Sequence, residues 1–97
     1  LPILYRLRAR TGFNDSVLNA NIARTLTALG KHDDAVREAR LAYRIDPANL
    51  MTTYAYGRAV MLQGDDAKRA RDLLRKASKL APDDKEIARD YRAAQKL

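Results

Sequence analysis

At 97 residues with 46% hydrophobic content and a formal net charge of +7, the chain makes one small folded domain and excludes the disordered class. It has no cysteine, which rules out disulfides, thiol catalysis and cysteine-ligated metals while leaving cytoplasm and periplasm both open as compartments. No apolar run approaches the roughly 18 to 20 residues of a membrane helix.

In chain order, residues 1–13 carry Leu1, Leu4, Tyr5 and Leu7 as an apolar stripe at helical spacing, with Pro2 limiting the helix start. Residues 16–49 predict a helix, a tight turn and a helix. Ile22, Ala23, Leu26 and Leu29 mark the first helix, Gly30 stops it, and Ala35, Ala39, Ala42 and Ile45 mark the second before Pro47. Residues 50–84 run the same way. Tyr56, Gly57 and Val60 precede Gly64, then Ala70, Leu73, Leu74, Ala77 and Leu80 precede Pro82. Residues 85–97 predict a last helix through Ile87, Ala88, Tyr91 and Ala94, capped by Asp83 or Asp84 and ending near Lys96.

The segments repeat. Ala35 and Ala70, Ala42 and Ala77, and Pro47 and Pro82 each stand 35 residues apart, and Gly30 and Gly64 stand 34 apart. A period in this range is that of stacked helical hairpins, in which each unit buries its apolar face against the next. Run backwards, the register sets Arg6 and Arg10 34 residues before Arg40 and Arg44, so that 1–13 reads as the second helix of a truncated preceding unit.

These positions resemble the tetratricopeptide repeat family, whose 34-residue unit carries a small residue at position 8, glycine near 15, alanine at 20 and 27 and proline at 32. Unit 16–49 supplies Ala23, Gly30, Ala35, Ala42 and Pro47 there, and unit 50–84 supplies Gly57, Gly64, Ala70, Ala77 and Pro82. The resemblance implies an all-α array of tetratricopeptide-like hairpins, an α-α superhelix, closed by a C-terminal capping helix over 85–97. Two departures stand out. One extra residue between Gly64 and Ala70 is expected to lengthen that turn, and Asn19 and Thr53 replace the large residue usual at position 4, so looser packing is expected there. Arg92 falls where a following hairpin would need a small residue, so the array is expected to stop at the last helix.

Catalytic chemistry is not indicated. His32 lacks a second histidine or cysteine and reads as a solvated turn residue, not a metal ligand. The pairs Asp33–Asp34, Asp65–Asp66 and Asp83–Asp84 each precede a helix and read as caps. The four glycines make no phosphate loop, so no cofactor is expected and the chain reads as a non-enzyme.

What the resemblance implies instead is a protein-interaction scaffold whose first helices line a concave groove. The groove positions are Val17, Ala20, Asn21, Arg24, Thr27 and Ala28, then Met51, Tyr54, Ala55, Arg58, Met61 and Leu62, with Arg89 and Asp90 from the last helix. Asn21, Arg24, Tyr54, Arg58, Met61 and Arg89 form the candidate peptide site. Arg24 and Arg58 hold equivalent positions and suit an acidic peptide, or else they pair with nearby acids or solvate the groove. The stretch 21–85 is also similar to the repeat domains of chaperone-binding immunophilins, with Asn21 matching their clamp asparagine. Met51 and Ala55 replace the cations of that clamp, so chaperone binding does not carry over. The alternative is nucleic acid or an anionic surface held by an outer basic face. There Lys68, Arg71, Arg75 and Lys79 share one side of a helix, and Arg40 with Arg44 and Arg6 with Arg10 extend the stripe across three helices, which Glu38 and Asp72 interrupt. Self-association through the truncated first unit is a further expectation. Thirteen of the nineteen basic residues are arginine, a bias compatible with a bacterial parent protein of high GC content.

Overall fold

Glycine sets the first turn. Gly30 adopts φ +79°, a left-handed conformation that costs an L side chain about 1 to 2 kcal/mol. There the Gly30 amide donates to the Thr27 carbonyl and the Lys31 amide to the Leu26 carbonyl, which satisfies the last turn of the preceding helix. Gly64, at φ +87°, ends the third helix in the same region.

The computed structural model describes residues 16–97, and these form five helices and no strand: α1 (Ser16–Ala28), α2 (His32–Ile45), α3 (Leu50–Gln63), α4 (Ala67–Leu80) and α5 (Lys85–Gln95). The helix expected over 1–13 lies outside the described residues. Connections of only three or four residues make consecutive helices antiparallel neighbours. The turn between α3 and α4 is not longer than the one between α1 and α2. Both span three residues, 29–31 and 64–66, because α3 runs up to the glycine whereas α1 stops one residue short of it.

Each helix packs on the next, α1 also packs on α3, and α3 touches α5. Helices α2 and α4 make no close backbone approach to each other. One layer therefore holds α1, α3 and α5, and the other holds α2 and α4 with a cleft between them. The core runs along the junction of the layers. Ile22, Ala23, Leu26, Ala35, Val36 and Ala39 of the first hairpin meet Tyr56, Ala59, Val60, Ala70 and Leu73 of the second. In α4 the buried positions Ala70, Leu73, Leu74 and Ala77 follow i, i+3, i+4, i+7, which gives one apolar stripe.

Small residues decide how close the helices come. A Cβ on Gly57 would stand 3.0 Å from both Leu73 Cβ and Leu74 Cγ. Ala20, Ala42 and Ala55 form a second buried cluster where α1, α2 and α3 meet. Ala20 and Ala55 are therefore buried where the helices pack, and Ala55 also lines a narrow recess on the α1–α3 face. Asn19 and Thr53 are fully buried. The Thr53 hydroxyl donates to the Asn49 carbonyl at 2.8 Å, and the neighbouring Thr52 hydroxyl donates to the Asp46 carbonyl at 2.6 Å. Those bonds satisfy buried polar groups and fasten α3 to the chain that leads into it.

The acidic pairs do not all cap. Asp66 accepts from the Arg69 amide at 3.1 Å and Asp84 from the Ile87 amide at 3.0 Å. Asp33 and Asp34, in contrast, lie inside the first turn of α2, whose N-cap is Lys31 with no side-chain bond. Asp34 pairs with Arg37 and Asp33 accepts from Gln63 Nε2 at 2.8 Å. His32 is the first residue of α2 and half-buried, not a solvated turn residue.

Candidate functional site

The α1–α3 face positions the predicted cations because residues nine places into each helix project side by side. Asn21, Arg24, Thr25 and Ala28 of α1 and Arg58 of α3 line one open hollow of about 510 Å³. A narrower recess beside it takes Arg24, Thr27, Tyr54, Ala55, Arg58 and Glu86. Four of the six candidate residues, Asn21, Arg24, Tyr54 and Arg58, thus come together. Met61 does not line either hollow and packs against the core. Arg89 is exposed on α5 and lines neither.

The two arginines differ. Arg24 is exposed and makes no ion pair with any described residue. Arg58 stands 3.8 Å from the carboxylate of Asp90, which is only 9% exposed and also accepts a hydrogen bond from the Tyr54 hydroxyl. Tyr54 further donates toward Glu86 at 3.3 Å. Burial first, and then the hydrogen bond to Asp90, push the Tyr54 pKa above that of an ordinary tyrosine. The α5 helix therefore places an acid against the one cation of α3, Arg58, and leaves the cation of α1 open. Nothing in the spacing of the sequence singles out this pairing, because Tyr54 and Asp90 are 36 residues apart and meet only through packing of α3 on α5.

On the opposite side, the predicted outer ladder divides. Arg75 donates to the Tyr91 hydroxyl of α5 at 3.2 Å, whereas Lys68 lines the cleft toward α2. Tyrosines stand among the outer cations, Tyr43 between Arg40 and Arg44 on α2 and Tyr56 and Tyr91 on neighbouring helices. Lys76 lies 4.8 Å over the ring of Tyr43, donates to its hydroxyl at 2.9 Å, and donates to the Pro47 carbonyl at 2.5 Å. Arg40 Nε donates to the Tyr56 hydroxyl at 3.4 Å. Arg69, which sequence spacing did not single out, stands in the same cleft and is bonded to Asp66. Arg6 and Arg10 lie outside the described residues.

Among the described residues no group of three or more histidines and carboxylates is placed to hold a metal ion, and no helix is long and apolar enough to cross a membrane. No family model matches the chain, and no curated protein matches it.

Proposed function

We propose that the chain is a tetratricopeptide-like array that acts as a protein-interaction module and takes an extended acidic segment of a partner protein across the α1–α3 face. The layering supports this reading, with α1, α3 and α5 side by side and α2 and α4 splayed behind them. So does the close approach at Gly57, where the family's small residue is expected.

The observation that carries the ligand chemistry is the hollow shared by Asn21, Arg24 and Arg58, in which the Arg24 guanidinium has no acidic partner among the described residues. A planar guanidinium holds a carboxylate through two parallel bonds, and the Asn21 amide one turn away adds a donor. Asp90 already occupies Arg58, so an incoming carboxylate is gripped by Arg24 and competes with Asp90 for Arg58.

Titration of acidic and neutral peptide libraries against variants tests the reading. Arg24→Ala should weaken binding of acidic peptides by about 1.5 to 3 kcal/mol, the range for a hydrogen bond to a charged group. Asp90→Asn, which removes the internal competitor, should tighten it. Acidic peptides that bind the parent and both variants equally would sink the proposal.

A further inference from the structure

The cleft between α2 and α4 has a chemistry of its own. Because the two backbones do not approach each other, long side chains and the Tyr56 ring from α3 line the space between them. One part, about 490 Å³, is lined by Arg40, Tyr43, Arg44, Tyr56, Asp66 and Arg69. The adjoining part, about 410 Å³, shares Tyr43, Asp66 and Arg69 and adds Leu73, Lys76, Lys68 and Asp72. Each lies within the range of small-molecule sites, roughly 300 to 1,000 Å³.

Donors dominate the first part. Arg40 and Arg44 sit one turn apart on α2 and make no ion pair with any described residue. The Tyr56 hydroxyl accepts from Arg40, and its own proton has no acceptor among the described residues. Arg69 stands beside the same hydroxyl. Arg69 and Tyr56 line the same cleft. The one acid present, Asp66, is already bonded to the Arg69 amide and guanidinium. Three guanidiniums and a phenol proton converging on one space need a ligand that only accepts and carries more than one charge. A phosphate monoester fits, with a charge of about −1.5 to −2 and three acceptor oxygens. A carboxylate supplies one charge and two oxygens. In the adjoining part, the Tyr43 ring and the Leu73 side chain offer an apolar wall for the organic portion of the ligand. Asp66 and Asp72 there would repel a second phosphate, which disfavours a polyanion such as duplex DNA.

We infer that the α2–α4 cleft binds the phosphate monoester of a small aromatic or apolar molecule, with Arg40, Arg44, Arg69 and Tyr56 holding the phosphate and Tyr43 and Leu73 the organic body. The site is separate from the α1–α3 face, and neither depends on the other.

Calorimetric titration with phenyl phosphate, inorganic phosphate and benzoate, and with a short DNA duplex, tests it. Phenyl phosphate should bind more tightly than inorganic phosphate, and benzoate least. Arg40→Gln and Arg44→Gln should each weaken phenyl phosphate by about tenfold or more. Lys79→Gln, outside the cleft, and Arg24→Ala, on the opposite face, should change nothing. Arg44 makes no bond to the described residues, so Arg44→Gln keeps the test valid if Arg40→Gln lowers the melting temperature. Phenyl phosphate binding that is unaltered by both cleft variants, or no tighter than benzoate, would overturn the inference. So would a duplex that displaces phenyl phosphate and depends on Arg75 and Lys79.

Discussion

At Gly57 the fold has no spare room. Its absent Cβ would stand 3.0 Å from Leu73 Cβ and Leu74 Cγ, so even a methyl group makes these neighbours give by a few tenths of an ångström, and a leucine must push α3 away from α4. Gly57→Leu should destabilise by about 1 to 3 kcal/mol or more, seen as a melting temperature lower by about 4 to 8 °C per kcal/mol for a domain of this size. An unchanged melting temperature would show that the two helices do not meet there. Tyr54 is the second informative residue. Burial and the bond to Asp90 raise its pKa in the folded state, so the fold binds the phenol proton more tightly than the unfolded chain does. The corresponding stability is fully present below the ordinary tyrosine pKa of about 10 and is lost as pH rises above it. An ultraviolet titration should show a tyrosine that ionises above the ordinary range, and Asp90→Asn should lower its midpoint. Gly57 was legible in the sequence because a close approach needs a small residue at a fixed position of a period. The Tyr54–Asp90 bond was not, because it depends on how α5 lies across α3.

Helix starts show the same contrast one level up. Asp66 and Asp84 cap because they stand just before the first helical residue, whereas Asp33 and Asp34 fall inside α2. The reason lies in the count from the glycine. Ala35 follows Gly30 by five residues and Ala70 follows Gly64 by six, so α2 starts two residues after its glycine and leaves room only for Lys31 at the cap. The extra residue of the second hairpin thus does its work as a cap and not as a longer turn. Lys31→Asn should supply the missing acceptor and stabilise the protein by about 0.5 to 1 kcal/mol, and Asp84→Ala should cost about 1 kcal/mol. Both shifts are readable by chemical denaturation. A loss of stability in Lys31→Asn would mean that the α2 amides already have partners.

Across the whole molecule, the period of the sequence announced the helical hairpins, while the packing of α5 decided which groove cation stays open. The divergence of α2 and α4 decided where the cations lie on the other side. Arg40 and Arg44 on α2 and Arg69 on α4 converge because two helices diverge, and a face drawn along one helix does not show that convergence. With a net charge of +7, the α1–α3 face should lose affinity for an acidic peptide as salt is raised. Arg24→Ala should flatten that dependence, while the double change Arg75→Ala with Lys79→Ala leaves it as it is. Binding that keeps the parent's salt dependence in Arg24→Ala would place the peptide elsewhere.

Helix α3 touches each of the other four described helices, and Asn49 and the hydroxyls of Thr52 and Thr53 fasten its first turn. An array joined only through neighbours can open from either end, one pair at a time. Here no opening that exposes α3 amides leaves any two hairpins docked, so those amides should exchange with solvent only through global unfolding. Amides of α5, which rests on α3 and α4 alone, should exchange through a smaller, local opening, and that opening frees Arg58 from Asp90. The slow core of the molecule and the gate to its second groove cation would then be separated by a measurable difference in exchange rate.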